Sequence, residues 1–517
     1  MGPLDWIIIA VYLIGCTAAG IWMRRYVRDV EDFAVAGREM DINLGVASLA
    51  ATEVGIVTVM YTAQMGFSSG FAGGTPGVLI AVAMLMVGLT GFVIGPLRRA
   101  GVITIPELFE KRFGKHVRWL AGLVVVLGGV LNMGIFLRLG GEFLVHVTGL
   151  PAQYLEITMI SLLAIVLVYT VLGGMLSVLV TDYIQFLVMG LGIVITSVLV
   201  IKSIGWPALV DGLMQAHQEG AVLVDTVKNE SFKMGHPFDP FASPEIGWFW
   251  VLWQAVLALA IVTTWQTTIA RVLSAKDDRT AKKVYRRTAF YFVGRFALPG
   301  LWGAAAFYYF WRQGGLPEGV NSLTAMPHYL NTLLPAGIIG IMIAAMLAAE
   351  MSTDSGYLLT WATVIYNDLV MPLMKTPPSP KVKLLVVRSL VVLIGLFLVF
   401  YGLLYEMPGR AWDYLAVTGN IYMASMFSLL VGSLYWKKAN SWGAVASIIL
   451  GAVGPITFLI YNAIVKNPAE QLKPETAGLA AFALAIGGMI VGSLIGHAMG
   501  RGVAGPIPGL MSEQEIK

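Results

Sequence analysis

The chain has 517 residues, of which 57% are hydrophobic and only 12% are charged. Soluble globular proteins carry about 25% charged residues, so this composition excludes a soluble chain and indicates many membrane-spanning helices. The formal net charge of +4 says less about the class of protein than the positions of the charges along the chain do. The single cysteine, Cys16, excludes an intrachain disulfide, and the six histidines show no metal-ligand spacing.

Thirteen apolar segments are long enough to cross about 30 Å of hydrocarbon as helices. In chain order they are residues 5–23, 43–69, 75–97, 119–145, 154–172, 176–201, 245–269, 289–312, 336–370, 384–405, 413–435, 442–465 and 477–499. The first is followed by RRYVR without the small-residue cleavage site of a secretory signal, so we expect it to be retained. The sequence therefore predicts an all-α polytopic membrane protein.

The Lys and Arg residues predict how the chain is oriented. With the N-terminus outside, most of the 34 basic residues fall in inner loops and the C-terminal tail, including those at 98–118 and 271–287. The positive-inside rule therefore favours an outer N-terminus and an inner C-terminus. The longest outer connection, 202–244, contains Pro207 and several further Pro and Gly residues, and is expected to be an irregular external loop.

Polar residues at membrane depth mark candidate ion or substrate pathways, because a central carboxylate costs about 2.5–3.5 kcal/mol on insertion. The first such place is SLAATEVGIVTVMYTAQMGFSSGFAGG, residues 48–74, where Glu53, Thr58 and Gln64 accompany an internal Gly55. This pattern predicts a broken helix whose freed carbonyl oxygens could coordinate a cation. Close helix packing through small residues is the alternative.

Two further segments combine hydroxyls with charge or amide groups. LGGMLSVLVTDYIQFLVMG, residues 172–190, contains Asp182 and Gln185, which share a helix face because they are three apart. An interfacial aspartate near a helix start is the alternative there. TTWQTTIARVL, residues 263–273, places Gln266 and Arg271 before a basic loop, and ordinary snorkelling accounts for the residues after Arg271.

The fourth segment is AAEMSTDSGYL, residues 348–358. At about 100° per residue, Ala349, Ser352 and Thr353 form one helix face, and Glu350 and Asp354 lie on another. Hydroxyl oxygens with a freed backbone carbonyl suit Na⁺, a hard cation, although such hydroxyls can also bond back to their own helix.

The two carboxylates of this segment need a separate explanation. A buried carboxylate is normally paired, so Glu350 and Asp354 are expected to form a structural ion pair with a buried base. Arg295, in the span that precedes this helix, is the candidate base.

Together these motifs resemble the sodium:solute symporter family, which contains the sodium/glucose, sodium/proline and sodium/pantothenate transporters. DFAVAGR at 32–38 is similar to the family's inner-loop motif before the first core helix, and ITIPELFEKRFG at 103–114 to the loop after the second. GGMLSVLVTDYIQ at 173–185 is similar to the family signature, and AAEMSTDSGYLLTWATVIYND at 348–368 resembles its sodium-site helix. The resemblance covers residues 5–465 in the same order.

The resemblance implies a 5+5 inverted-repeat core of the leucine-transporter type, in which the first helix of each repeat is unwound at the midplane. It divides the chain into a first transmembrane helix with its inner loop, a first five-helix repeat, the external loop, a second five-helix repeat, two C-terminal helices and a cytoplasmic tail. These units are residues 1–42, 43–201, 202–244, 245–435, 436–499 and 500–517.

Carried over by position, the resemblance implies a site for Na⁺ formed by two hydroxyls and three backbone oxygens. The hydroxyls belong to Ser352 and Thr353, and the backbone oxygens to Ala51, Val54 and Ala349. Asp182 matches the signature aspartate and is expected on the sodium path, near the inner end of its helix and away from these ligands. Candidate substrate contacts are Glu53, Thr58 and Gln266.

The sequence departs from the family in two places. Ala260, Ile261 and Val262 stand where sugar transporters carry an aromatic gating run, which weakens a sugar assignment. The family normally has apolar residues at the positions of Glu350 and Asp354, so the resemblance does not explain them.

The expected function is a sodium-coupled symporter that imports a small organic solute by alternating access. Its expected partners are Na⁺, the solute and the lipid of the cell membrane, without nucleic acid or a cofactor. The alternatives are a proton-coupled symporter that uses Glu350 or Asp354, a transporter-like sensor, and a polytopic membrane enzyme, for which no His/Asp or Ser/His constellation is found. Sugars, amino acids and monocarboxylates all remain open, and Glu53 favours a polyol-like or cationic group.

Overall fold

The computed structural model describes residues 1–26, 36–225, 231–243, 246–376, 378–405, 410–465, 467 and 470–507. Residues 32–35 of the inner-loop motif, Pro244 of the external loop and residues 508–517 of the tail lie outside this set. The described chain is mostly helical.

The helices follow one another in chain order. They are α1 Pro3–Met23, α2 Ile42–Thr52, α3 Ile56–Ser69, α4 Thr75–Thr90, α5 Ile94–Arg99, α6 Ile105–Phe113, α7 Lys115–Met133, α8 Phe136–Thr148, α9 Leu155–Ile204, α10 Trp206–Gln218, α11 Gly247–Thr264, α12 Gln266–Ser274, α13 Asp278–Arg312, α14 Ala325–Leu333, α15 Ile338–Val364, α16 Pro380–Leu404, α17 Ala411–Tyr435, α18 Ser441–Ile464 and α19 Pro474–Ala498. A π-helical turn, Ile365–Val370, continues α15, and short 3-10 turns lie at Arg24–Tyr26, Ala36–Arg38, Gly70–Gly74, Ala152–Tyr154 and Met371–Leu373.

Ten segments of the described chain are long and apolar enough to cross a bilayer. α15 and α17 occupy the centre, since each is 89% buried over its most apolar window, whereas α1 is 17% buried and α16 is 28% buried. The exposed side chains of α1 and α16 are mostly apolar. Such side chains suit contact with lipid, because the hydrocarbon core of a membrane contains no water. Glu350, Ser352, Thr353 and Asp354 lie on one of these central helices, α15.

The 50-residue helix α9 bends at Gly174, whose φ of 55° and ψ of −153° are not helical. Glycine alone adopts this conformation without a steric penalty, because it has no Cβ. The bend divides α9 into two parts and lets the second part, which carries Asp182, pack against both α2 and α15.

The connection over residues 202–244, predicted to be external, is more regular than expected. It contains α10 and an antiparallel pair of short strands, β1 Val222–Val224 and β2 Ser231–Lys233. Pro207 lies in the first turn of α10, where its missing N–H removes no helical hydrogen bond. The prediction of an irregular loop over 202–244 is therefore wrong for these elements, because a proline at a helix start is compatible with the helix.

Candidate ion and solute site

The helix predicted to be broken is broken. α2 ends at Thr52 and α3 begins at Ile56, with Glu53, Val54 and Gly55 between them. Gly55 is extended, with ψ of 173°, so the helical hydrogen-bond ladder stops there. A helix end leaves backbone groups without helical partners, so carbonyl oxygens of α2 and N–H groups of α3 become available to other partners.

The hydroxyl face of α15 lies against this break. The Thr353 hydroxyl donates to the Thr52 carbonyl oxygen at 2.9 Å, and the Ser352 hydroxyl donates to Asp182 Oδ1 at 2.6 Å. A Cβ on Gly55 would lie 2.8 Å from Thr353 Oγ1, so this close approach requires glycine. Each hydroxyl gives its hydrogen to a neighbour and keeps oxygen lone pairs with which a cation can be bound.

Asp182 contacts one of the predicted sodium ligands, Ser352, and the expectation that it lies away from them is wrong. Besides Ser352, it accepts hydrogen bonds from the Ser48 hydroxyl at 2.5 Å and from Arg271 Nη2 at 3.4 Å. The cause is the packing of α9 against α2 and α15 after the bend at Gly174. Arg271 is only 1% exposed, so it belongs to this buried pair and not to the basic inner loop with which it was counted.

A cavity lies beside the break, between α3, α13, α15 and α17. Its wall has charged and polar groups from Glu53, Thr58, Asn132 and Arg295, and aromatic groups from Tyr61, Phe136, Trp265, Tyr357 and Trp412. Thr52 and Thr353 also line it. Thr353 is therefore a residue of both the predicted ion site and the cavity wall.

Arg295 and Glu53 form an ion pair in the wall of this cavity. Arg295 Nη1 donates to Glu53 Oε2 at 3.0 Å, and its Nη2 donates to the Tyr61 hydroxyl at 2.9 Å and to Thr58 Oγ1 at 3.3 Å. The predicted pairing of Arg295 with Glu350 and Asp354 is wrong. Arg295 lies on α13, which packs on α3 and α4, so its side chain meets the polar residues of α3 and of the break.

Glu350 and Asp354 have different surroundings from those predicted. Glu350 Oε2 accepts a hydrogen bond from the Ile56 N–H at 3.0 Å, at the first residue of α3, where the helix dipole favours a carboxylate. Glu350 Oε1 and both carboxylate oxygens of Asp354 are buried, with no hydrogen-bond partner in the described part of the chain.

Gln266 is not among the residues that line the cavity. Its Oε1 accepts a hydrogen bond from the Ile105 N–H at 3.4 Å, which links α12 to the start of α6. The neighbouring residue Trp265 lines the cavity instead and stands, with ψ of 109°, in a second helix break between α11 and α12. The hydroxyl residues around position 265 predicted a polar segment. Nothing in the sequence singled out Trp265 itself as a residue of a cavity wall.

The structure also adds aromatic residues that the sequence did not single out. Trp265 Nε1 donates to the Tyr357 hydroxyl at 2.9 Å, and Tyr61 packs on Trp412 with ring centroids 5.0 Å apart. Aromatic residues are also common in ordinary hydrophobic cores, so the sequence alone does not distinguish these four from core residues. Their positions around the cavity identify them as part of its wall.

Two helices broken at a buried polar cavity, within a bundle of apolar helices, define a secondary transporter. The sequence pattern of the sodium:solute symporter family matches residues 33–451, and the chain belongs to that family. It is an integral membrane protein and a sodium-coupled symporter, not an enzyme.

Known proteins of similar sequence and structure agree with this assignment. The chain is 26% identical to the sodium/glucose cotransporter of Vibrio parahaemolyticus, over 89% of this chain and 84% of that protein. It is 24% identical to the sodium/sialic acid symporter SiaT of Proteus mirabilis, over 87% of this chain and 88% of that protein. A substrate-bound, outward-open Na⁺-coupled sialic acid symporter superposes with a TM-score of 0.80 at 20% identity, covering 96% and 98% of the two chains. MhsT in complex with L-phenylalanine gives 0.53 at 15% identity, covering 88% and 98%. These structures share the fold.

Proposed function

We propose that this symporter binds Na⁺ at the break between α2 and α3 and the transported solute in the adjoining cavity, and exposes both to either side in turn. The observation that carries the proposal is the position of Thr353, which donates its hydroxyl hydrogen to the break and is also one of the residues that line the cavity. An ion held there would complete one wall of the solute site. Binding of the ion and binding of the solute would then support each other.

The proposed ligands of Na⁺ are the hydroxyls of Ser352 and Thr353 and the backbone oxygens of Ala51, Val54 and Ala349. All five residues are buried. Oxygen is the ligand atom that a hard cation prefers, and the carbonyl end of α2 presents a partial negative charge to it. Asp182 accepts the Ser352 hydrogen and so turns the lone pairs of that hydroxyl away from itself.

We also propose thirteen membrane crossings. A 50-residue helix such as α9 would be about 75 Å long if straight, far more than the roughly 30 Å of a hydrocarbon core. Counting Leu155–Ile204 and Ile56–Thr90 as two crossings each, and adding α13, brings the ten apolar segments to thirteen. Each broken helix is the first helix of a proposed inverted repeat, 43–201 or 245–435. In the proposed topology the N-terminus lies outside and the C-terminus inside.

The test replaces the hydroxyls of the proposed ion site one at a time. Ser352→Ala and Thr353→Ala should each raise the Na⁺ concentration for half-maximal thermal stabilisation of the purified protein, because each lost ligand costs about 1–3 kcal/mol. Thr360→Ala is the matched control, since the Thr360 hydroxyl lies buried on the same helix and bonds back to the Gly356 carbonyl. Wild-type dependence on Na⁺ in both variants would refute the site. Uptake driven by a proton gradient without Na⁺ would support the proton-coupled alternative instead.

A further inference from the structure

Arg295 is the one basic side chain among the described residues that line the cavity. Its two terminal nitrogens are engaged by Glu53, Tyr61 and Thr58, but its Nε is buried without a hydrogen-bond partner in the described chain. A buried N–H without an acceptor is unfavourable, so an anionic oxygen that reached the Nε–H would gain a charge-assisted hydrogen bond. Arg295 therefore keeps one unsatisfied donor on a positively charged side chain that lines the cavity.

Both carboxylate oxygens of Glu53, in contrast, already accept a hydrogen bond from the protein. Its Oε2 accepts from Arg295 and its Oε1 accepts from the Thr268 hydroxyl. A cationic solute that approached Glu53 would be repelled by Arg295, which lies 3.0 Å from Oε2. The solute proposed below therefore differs from the polyol-like or cationic group that Glu53 favoured in the sequence.

Most neutral donors of the wall are already used within the protein. The Asn132 amide donates to the Leu415 carbonyl at 2.8 Å, and the indole N–H groups of Trp265 and Trp412 donate to Tyr357 and Gln254. A sugar needs a hydrogen-bond partner for each of its many hydroxyls, because buried unpaired polar groups are costly. These walls instead offer aromatic faces, which suit an apolar body.

Charge balance points to the same class of solute. Glu53 and Arg295 are the charged residues of the described lining and neutralise each other, so the lining leaves no charge to compensate a Na⁺ ion next to Thr353. A negative charge on the solute would compensate it, and in a low-dielectric site this attraction is strong. Binding of Na⁺ would then favour binding of an anion, which is the coupling that a symporter needs.

We propose that the transported solute is a small monocarboxylate whose carboxylate binds Arg295 and whose apolar part lies on the aromatic wall. This inference rests on the proposed function of the cavity. It makes Arg295 a specificity-determining residue, with Glu53 and Tyr61 holding the guanidinium in position.

The test compares propionate with propionamide, its neutral isostere, using purified protein and proteoliposomes. In Na⁺ but not in K⁺, propionate should raise the melting temperature and labelled propionate should be taken up, whereas propionamide, glucose and proline should produce no shift. Arg295→Lys keeps the charge but loses the Nε–H donor, so it should raise the half-saturating propionate concentration about tenfold.

The double variant Glu53→Gln/Arg295→Gln removes both charges together and should abolish the propionate shift while its shift with Na⁺ alone persists. The matched control is Arg138→Gln/Glu142→Gln, a pair outside the cavity joined at 3.2 Å, which should respond to propionate like the wild type. Stabilisation by propionamide or glucose as large as that by propionate, or a preference for proline, would overturn the inference. If Na⁺ alone fails to stabilise the wild type, the proposed ion site fails instead, so the two failures are distinguishable.

Discussion

At the scale of single residues, the chemistry of the cavity depends on which acid holds Arg295. Glu53 and Arg295 are 242 positions apart in the chain and 3.0 Å apart in space. Both side chains are largely withdrawn from solvent, at 4% and 10% exposure. Removing one member of such a pair leaves the other charge buried without compensation, which costs more than removing both.

Glu53→Gln alone is therefore expected to destabilise the protein by about 3–5 kcal/mol, and adding Arg295→Gln should restore much of that loss. Asp354→Asn is the control, because neither of its carboxylate oxygens has a hydrogen-bond partner in the described chain and the change removes a buried acid. Thermal melting of the three variants in detergent measures the effect. If Asp354→Asn lowered the stability and adding Arg295→Gln restored it, Asp354 would be the partner of Arg295, contrary to the structure.

At the scale of elements, the site depends on how closely the break between α2 and α3 approaches α15. Gly55 lies in this break and contacts the side chain of Thr353. Its extended backbone is open to any residue, so the requirement for glycine comes from space and not from φ. The break and the hydroxyl face of α15 thus act as one unit.

We expect Gly55→Ala to weaken Na⁺ binding, because its Cβ would lie 2.8 Å from Thr353 Oγ1 and 3.1 Å from Thr353 Cβ and would push the two elements apart. Gly190→Ala serves for comparison, since a Cβ there meets nothing within 4 Å. The measurement is the Na⁺ concentration that gives half of the thermal stabilisation. Equal values for the two variants would show that the close contact is not needed for the ion.

At the scale of the whole molecule, the proposed orientation decides which side of the membrane each loop faces. The chain has a single cysteine, Cys16, which is 2% exposed, so introduced cysteines report on their own positions. Glu219, after α10, and Lys437, after α17, are both exposed. The proposed topology places the first outside the membrane and the second inside.

Glu219→Cys is expected to react with a membrane-impermeant maleimide added to intact cells, and Lys437→Cys only after the membrane is opened. The reason is that the basic residues near Lys437 favour the inner side of the membrane. Labelling of the unmodified protein is the background control. The reverse pattern would invert the proposed topology and with it the direction of transport.

Several properties followed from the sequence because they depend on neighbours along the chain. Long apolar segments require a membrane, and a polar, glycine-containing helix predicts the break at Glu53–Gly55, which the structure confirms. Helical periodicity likewise placed Ser352 and Thr353 on one face of α15. The family assignment was also within reach, since its motifs are continuous stretches of sequence.

The partners of the buried charges were decided only by the tertiary structure. The hydrogen bond from Ser352 to Asp182 joins residues 170 positions apart, and the pairing of Arg295 with Glu53 rather than Asp354 depends on which helices α13 packs against. Gln266 and Trp265 are adjacent in sequence, yet only Trp265 lines the cavity. Hydropathy and periodicity describe one helix at a time, whereas an ion pair or a cavity wall requires the faces of several helices to meet, and that is set by packing.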